Sequence, residues 1–181
     1  MGNFYTNVTL TVVDGDVALD WLRSRGRPAF VEVSSRGVVV FDADGEAQDG
    51  SHTVLAGELS SALHCCAVAM LNHDDDILRL DVLRDGALVD RYDSSPGYFD
   101  PDVEDIAPPV GGHELARLFG ADESQVEAAL RGDFVFAVER HAALLDALKL
   151  PGAACGFGYE YLANGERPTP SEASAELTRL V

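Results

Sequence analysis

Positive charge is scarce in this sequence. Thirteen basic residues stand against thirty-one acidic ones, Lys149 is the single lysine, and the net charge is −18. The arginines are scattered among acidic residues, so the chain has no basic stripe of the kind that binds DNA or RNA. Anionic membrane surfaces are disfavoured for the same reason. We therefore predict no nucleic-acid partner and no membrane partner.

Cysteines and long apolar runs are also lacking. The three cysteines are an odd number, and Cys65 and Cys66 are adjacent, which argues against a disulfide framework. No window approaches the roughly 18 uninterrupted apolar residues of a membrane helix. The N-terminal sequence lacks the basic and apolar regions of a signal peptide. These absences predict a reduced, cytoplasmic protein.

Familiar catalytic motifs are missing as well. The sequence contains no GxSxG, Walker, HExxH or CxxC pattern. A nucleophile formed by Cys155 with His141 is conceivable, but a thiol between small residues is more typical of a buried structural cysteine. The sequence therefore predicts no organic cofactor, and a divalent metal is the one cofactor that it leaves open.

The composition that remains is that of a globular domain. Of the 181 residues, 46% are hydrophobic and 24% are charged, which argues against disorder. Hydrophobic periodicity over residues 1–95 predicts the order β-α-β-β-α-β-β-β. Asp85-Gly86 favours a two-residue type I′ turn in the last hairpin. We expect an α+β fold with a mainly antiparallel sheet of about five to six strands and two helices packed on it.

The second half of the chain has a different pattern. Prolines and glycines in residues 96–112 predict a linker. Residues 113–166 are predicted to form a helical extension on the same core, with a last strand over residues 157–162. Residues 167–181 are expected to be an exposed tail with a weak final helix.

The predicted hairpin and the loop after it supply the candidate binding residues. A two-residue turn would place Asp81 opposite Asp90, where like charges destabilise a sheet. The pair either stays solvated beside arginines or attracts a proton, a cation or a basic partner. Asp93, Tyr98 and Phe99 follow in a loop whose aromatic residues suit an interface. These five residues form the predicted binding site.

A histidine and acidic cluster precedes the hairpin. His73, Asp74 and Asp76 lie between two predicted strands, and hard divalent cations prefer such oxygen ligands. Consecutive side chains on an extended chain point in opposite directions, so at most Asp74 and Asp76 converge. Since a bound cation can activate water, the alternative function is a small metal-assisted hydrolase.

The charge and the missing motifs together favour a non-enzymatic function. We expect an inhibitor or adaptor domain whose acidic face engages a basic protein partner, because opposite potentials steer association. Self-association is the other partner that the sequence leaves open. The same charge also serves solubility through self-repulsion.

Overall fold

One antiparallel sheet organises the chain. The computed structural model describes residues 2–11, 13–99, 102, 109–169 and 174–181. Within these residues the strands are β1 (Tyr5–Thr11), β2 (Ala29–Ser34), β3 (Gly37–Asp42), β4 (Cys66–His73), β5 (Ile77–Arg84), β6 (Ala87–Asp93), β7 (Val110–Gly111) and β8 (Glu176–Leu180). They follow the order β7-β6-β5-β4-β1-β3-β2-β8, and every neighbouring pair is antiparallel.

Six α-helices accompany this sheet in the described residues. They are α1 (Gly15–Ser24), α2 (Ser51–Leu63), α3 (Leu115–Phe119), α4 (Glu123–Arg131), α5 (Ala137–Leu148) and α6 (Tyr159–Ala163), and two short 3-10 helices span Ala43–Ala47 and Gly152–Ala154. The order β1-α1-β2-β3-α2-β4-β5-β6 confirms the predicted start of the chain and the α+β class. The expected five to six strands and two helices were too few.

Helices cover both faces of the sheet. Because side chains alternate along a strand, Val38 and Val40 of β3 join one apolar cluster with α1 and α2. Val39 and Phe41 join a second cluster with α3, α4 and α5. Burial on both faces explains why β3 is apolar at consecutive positions. The C-terminal helices therefore pack against the same sheet as the N-terminal ones, from its other face.

The β5–β6 hairpin has the predicted turn but a different register. Asp85 and Gly86 both have positive φ, 50° and 80°, as a type I′ turn requires. The pairing shifts by one residue beyond Leu83, so that Asp81 lies opposite Arg91. The predicted pairing of Asp81 with Asp90 was wrong.

A β-bulge at Val89 causes this shift, since Leu83 pairs with Leu88 and Val82 with Asp90. An extra residue in one strand changes which side chains face each other beyond it. The new register places Tyr92 in the second apolar cluster, where its hydroxyl donates a 2.7 Å hydrogen bond to the carbonyl of Leu130. Burial of this ring and relief of a like-charge pair both favour the bulge.

Two elements near the C-terminus differ from the prediction. The expected strand over 157–162 overlaps helix α6, whose Leu162 is buried and whose Tyr159 ring lies 5.4 Å from the Phe30 ring. These two residues are three apart, which puts them on one helix face. The expected weak final helix is instead strand β8, in which Leu180 pairs with Ala29 of β2.

The predicted linker is only partly described. Residues 100, 101 and 103–108 lie outside the described residues. At the end of the linker, Val110–Gly111 form β7 and extend the sheet beside β6.

Candidate functional site

The turn between β4 and β5 is bonded to two other parts of the chain. The backbone N–H of Asp75 donates to the carbonyl of Asn3 at 3.1 Å, and the N–H of Ala137 donates to the Asp75 carbonyl at 2.7 Å. The Asp75 carboxylate also accepts from the N–H of Val138 at 2.9 Å. A carboxylate in this place satisfies a free donor in the first turn of α5. The turn thus joins the N-terminal segment and α5 to the sheet.

Aromatic rings surround His73 at the same end of the sheet. The ring centroids of Phe4, Tyr98 and Phe99 lie 4.9, 5.8 and 5.0 Å from that of His73, all edge-to-face. Each of the three rings is between 42% and 47% exposed. Rings that contact one another in this geometry hold a fixed arrangement while still presenting apolar surface.

Two further apolar side chains are exposed on the α5 side of the turn. Val135 is 80% exposed and Phe136 is 51% exposed, and the following residue, Ala137, is bonded to the turn. Five of the eleven exposed large hydrophobic side chains in the described chain therefore lie around the β4–β5 turn. We call them the turn-end surface, together with His73 and the exposed carboxylates of the turn; its residues are Phe4, His73, Asp74, Asp76, Tyr98, Phe99, Val135 and Phe136.

A cleft of about 420 Å³ opens beside the turn-end surface. Its floor is Ala69 and Leu71 of β4, and its walls are the start of α2 and the facing residues of β5 and β6. The wall residues are Gln48, Asp49, Gly50, His52, Thr53, Arg79, Asp81, Arg91 and Asp93.

Two ion pairs line the cleft. Arg91 donates to both oxygens of Asp81, from Nε at 2.5 Å and from Nη2 at 3.0 Å, and the Thr53 hydroxyl also donates to Asp81 at 3.0 Å. The hydrogen bond to Asp81 raises the pKa of Arg91 above its usual value. Arg79 donates from Nε to Asp93 at 2.6 Å. The predicted acidic pair is thus replaced by two arginine–aspartate pairs on neighbouring strands.

His52 is the buried titratable group of the cleft. It is 7% exposed, and burial lowers its pKa below the usual value, so the imidazole is neutral at pH 7. Its Nδ1 is enclosed and has no hydrogen-bond partner in the described part of the chain. At the mouth of the cleft, hydrogen bonds from Ser51 lower the pKa of Asp49. The cleft therefore combines a neutral imidazole with the ionised carboxylate of Asp49.

Two residues connect the cleft to the turn-end surface. Gln48 donates from Nε2 to the carbonyl of Asn72 at 2.9 Å, which leaves its Oε1 to accept a 2.6 Å hydrogen bond from Nδ1 of His73. The guanidinium of Arg79 stacks over the Phe99 ring, 4.6 Å from its centroid. The cleft and the exposed rings therefore share side chains and form one continuous site.

The structure brings four of the five predicted binding residues together. Asp81 and Asp93 line the cleft, and Tyr98 and Phe99 lie beside it. Asp90 points to the opposite face of the sheet, where its carboxylate accepts from the N–H of Glu114 at 2.8 Å. The bulge separates it from Asp81, so Asp90 does not belong to this site.

The predicted metal ligands have other partners in the structure. His73 is bonded to Gln48, and the Asp74 carboxylate accepts from the N–H of Gly2 at 3.2 Å. Across the described ranges, no group of three His, Cys, Asp or Glu side chains is placed to hold a metal ion. The metal site of His73, Asp74 and Asp76, and the hydrolase based on it, remain predictions.

A buried polar network lies on the opposite face, away from the cleft. The Tyr5 hydroxyl and Nδ1 of His141 are 2.7 Å apart, and complete burial lowers the pKa of His141 to about 3. The Cys155 thiol contacts the carbonyl of Val138 at 3.5 Å, and burial raises its pKa to about 11. A neutral thiol is a poor nucleophile, so these contacts favour a structural role for Cys155.

No protein-family model, curated protein or solved structure matches this chain. Every helix in the described ranges is too short or too polar to cross a lipid bilayer.

Proposed function

We propose that this chain is a non-enzymatic binding domain, an adaptor or inhibitor, that engages a basic protein partner through the turn-end surface. One observation carries the proposal: exposed aromatic side chains and exposed carboxylates are concentrated around a single turn of the sheet. Apolar surface gathered in one patch and rimmed by polar groups is typical of a protein interface.

The aromatic side chains suit the centre of such an interface. Tyrosine and other aromatic residues are enriched among those that carry most of the binding energy. The Tyr98 and Phe99 rings are 5.0 Å apart in an edge-to-face contact, and both pack on His73. Because this packing already fixes the rings, binding loses little side-chain entropy.

The charge determines the class of partner. The net charge of −18 attracts positively charged proteins over long distances and repels nucleic acids. Asp74 and Asp76 are exposed beside the rings, so the attraction also acts at the surface itself. Three free cysteines, Cys65, Cys66 and Cys155, suit a reducing compartment, and we place the function in the cytoplasm.

Site-specific crosslinking of the whole protein tests this proposal. A photo-crosslinking amino acid replaces Phe99 in one variant and Val17, an exposed residue of α1, in the control variant. In lysate of the native host, we expect the first variant to capture one basic protein that the control does not capture. Capture of an acidic protein, of nucleic acid or of a second copy of this chain would contradict the proposal.

The captured partner is then purified and its affinity is measured. We expect Phe99→Ala to weaken binding about 30-fold, the loss typical of an aromatic residue at an interface centre. The control Val17→Ala should leave the affinity unchanged. Added salt should lower the association rate, because the attraction between the two proteins is electrostatic. Equal affinities of both variants would exclude the turn-end surface as the interface.

A further inference from the structure

The cleft beside the turn-end surface is short of one positive charge. Its lining holds three carboxylates, of Asp49, Asp81 and Asp93, and two guanidinium groups, of Arg79 and Arg91. The sixth titratable group, His52, adds no charge because its imidazole is neutral. One monovalent cation in the cleft would balance the lining, which is a condition for electrostatic complementarity.

The buried imidazole of His52 forms an uncharged part of the cleft wall. A buried polar atom without a hydrogen bond costs about 1 to 3 kcal/mol of free energy, and native proteins seldom leave one unpaired. Nδ1 of His52 is such an atom in the described chain, and its ring lines the cleft. Because this nitrogen is enclosed, the ring presents an uncharged, flat surface to the cleft, on which a planar cation can pack. The charge of the lining thus calls for a cation, and the neutral ring offers it a surface for packing.

The shape and floor of the cleft favour an organic cation over a metal ion. The described carboxylates do not converge into a group of three metal ligands. The floor residues Ala69 and Leu71 are apolar, and apolar surface accommodates the methylene stem of a long basic side chain. The volume of about 420 Å³ leaves room for such a stem.

Arginine fits this combination better than lysine does. Its planar guanidinium has five N–H donors in a fixed arrangement and stacks on aromatic rings. The protein itself already holds one guanidinium in this way, since Arg79 is bonded to Asp93 and stacked on Phe99. A guanidinium of the partner entering the cleft would meet carboxylate oxygens and the His52 ring.

We propose that the cleft receives one arginine side chain of the basic partner, which anchors that partner beside the turn-end surface. This inference rests on the proposed function, since it identifies the part of the partner that the site recognises. The arginine would fill the cleft while the aromatic rings contact the surrounding surface of the partner.

An NMR titration of the isotope-labelled whole protein tests the inference without the partner. The probe is Nα-acetyl-arginine methylamide, and the control ligand is the citrulline analogue, which has nearly the same shape but no charge. We expect saturable shifts in the backbone amides of His52, Thr53, Asp81 and Arg91, with an affinity of about 1 mM for so small a ligand. The citrulline analogue should cause no saturable shift. Equal shifts with both ligands, or no shift at these amides, would overturn the inference.

A matched pair of variants identifies the charge that the probe recognises. Asp49→Asn removes a cleft charge but keeps a side-chain oxygen for the hydrogen bond from Ser51. Asp20→Asn removes the same charge from the exposed face of α1. We expect the first variant to bind the probe about fivefold more weakly and the second to bind it unchanged. Equal losses would mean that the probe responds only to net charge, and the cleft assignment would fail.

The two proposals fail in distinguishable ways. If the arginine probe does not bind the cleft while Phe99 still captures a basic protein, the cleft inference is wrong and the proposed function stands. If the probe binds but no basic protein crosslinks at Phe99, the proposed function is wrong, and so is the role of the cleft as the anchor of that partner.

Discussion

Asp81 shows how a change of one position alters the chemistry of a residue. In the simple hairpin register it would face Asp90, and its removal would relieve a repulsion. In the bulged register it faces Arg91 and accepts three hydrogen bonds, two from Arg91 and one from Thr53. A carboxylate with these partners stabilises the fold and orders one wall of the cleft.

We therefore expect Asp81→Asn to lower the free energy of unfolding by about 1 kcal/mol, because an amide cannot accept both hydrogen bonds of Arg91 or pair with its charge. Urea denaturation of the variant and the unmodified protein measures the change. Asp20→Asn, which removes an exposed ion pair with Arg23, should change stability by less than about 0.5 kcal/mol. An unchanged or higher stability of Asp81→Asn would show that the bulged register is wrong.

At the scale of elements, the β5–β6 turn shows most directly how local sequence determines structure. Gly86 has a φ of 80°, and its N–H donates to the Ser60 hydroxyl at 3.0 Å. A Cβ atom at this position would lie 3.3 Å from Cβ of Ser61. Backbone strain and a close neighbour therefore both select glycine here.

Gly86→Val should be much more destabilising than Asp85→Asn. We expect a loss of about 2 kcal/mol or more for valine, since a β-branched residue resists positive φ. The loss for asparagine should be below about 0.5 kcal/mol, because asparagine tolerates this region. Denaturant titration of both variants measures the difference, and similar losses would contradict the type I′ assignment.

Local signals also explain how much of the fold was predictable. The alternation of strands and helices up to β6, and the Asp85-Gly86 turn, follow from periodicity and turn chemistry within a few residues. The bulge at Val89 does not, because it depends on burial of Tyr92 against Leu130, about 40 residues further along the chain. Strand β8 was missed for the same reason, since its pairing partner β2 lies far away in sequence.

The candidate site likewise contains residues that the sequence predicts and residues that it does not. Asp93, Tyr98 and Phe99 were predicted because an exposed aromatic loop after a hairpin is visible in the sequence. Gln48 and His52 were not, because they reach the site only when the start of α2 packs beside β5 and β6. No local pattern around these two residues distinguishes them from ordinary loop and helix residues.

At the scale of the whole molecule, the charge complicates any test for a metal. A protein with a net charge of −18 gains stability from any added cation, because cations reduce its self-repulsion. A rise in melting temperature with Mg²⁺ or Ca²⁺ therefore identifies a metal site only if it depends on a particular residue.

We expect Mg²⁺, Mn²⁺, Ca²⁺ and Zn²⁺ to raise the melting temperatures of the unmodified protein, Asp76→Asn and Asp20→Asn by equal amounts. The reason is that the other predicted ligands, His73 and Asp74, already have partners in Gln48 and Gly2. Thermal unfolding in each metal, with a chelator as reference, measures the shifts. Loss of several degrees of stabilisation in Asp76→Asn alone would favour the metal-assisted hydrolase.

The contacts of Asp75 have a consequence for the dynamics of the chain. This residue bonds to Asn3 and to the start of α5, so the turn-end surface is complete only while both segments are docked. Transient opening of either segment would dismantle the surface. A partner that binds only when both segments are docked stabilises the docked state. It therefore slows local unfolding of the N-terminal segment and of the start of α5. Amide hydrogen exchange near Asn3 and in the first turn of α5 would then slow together on binding.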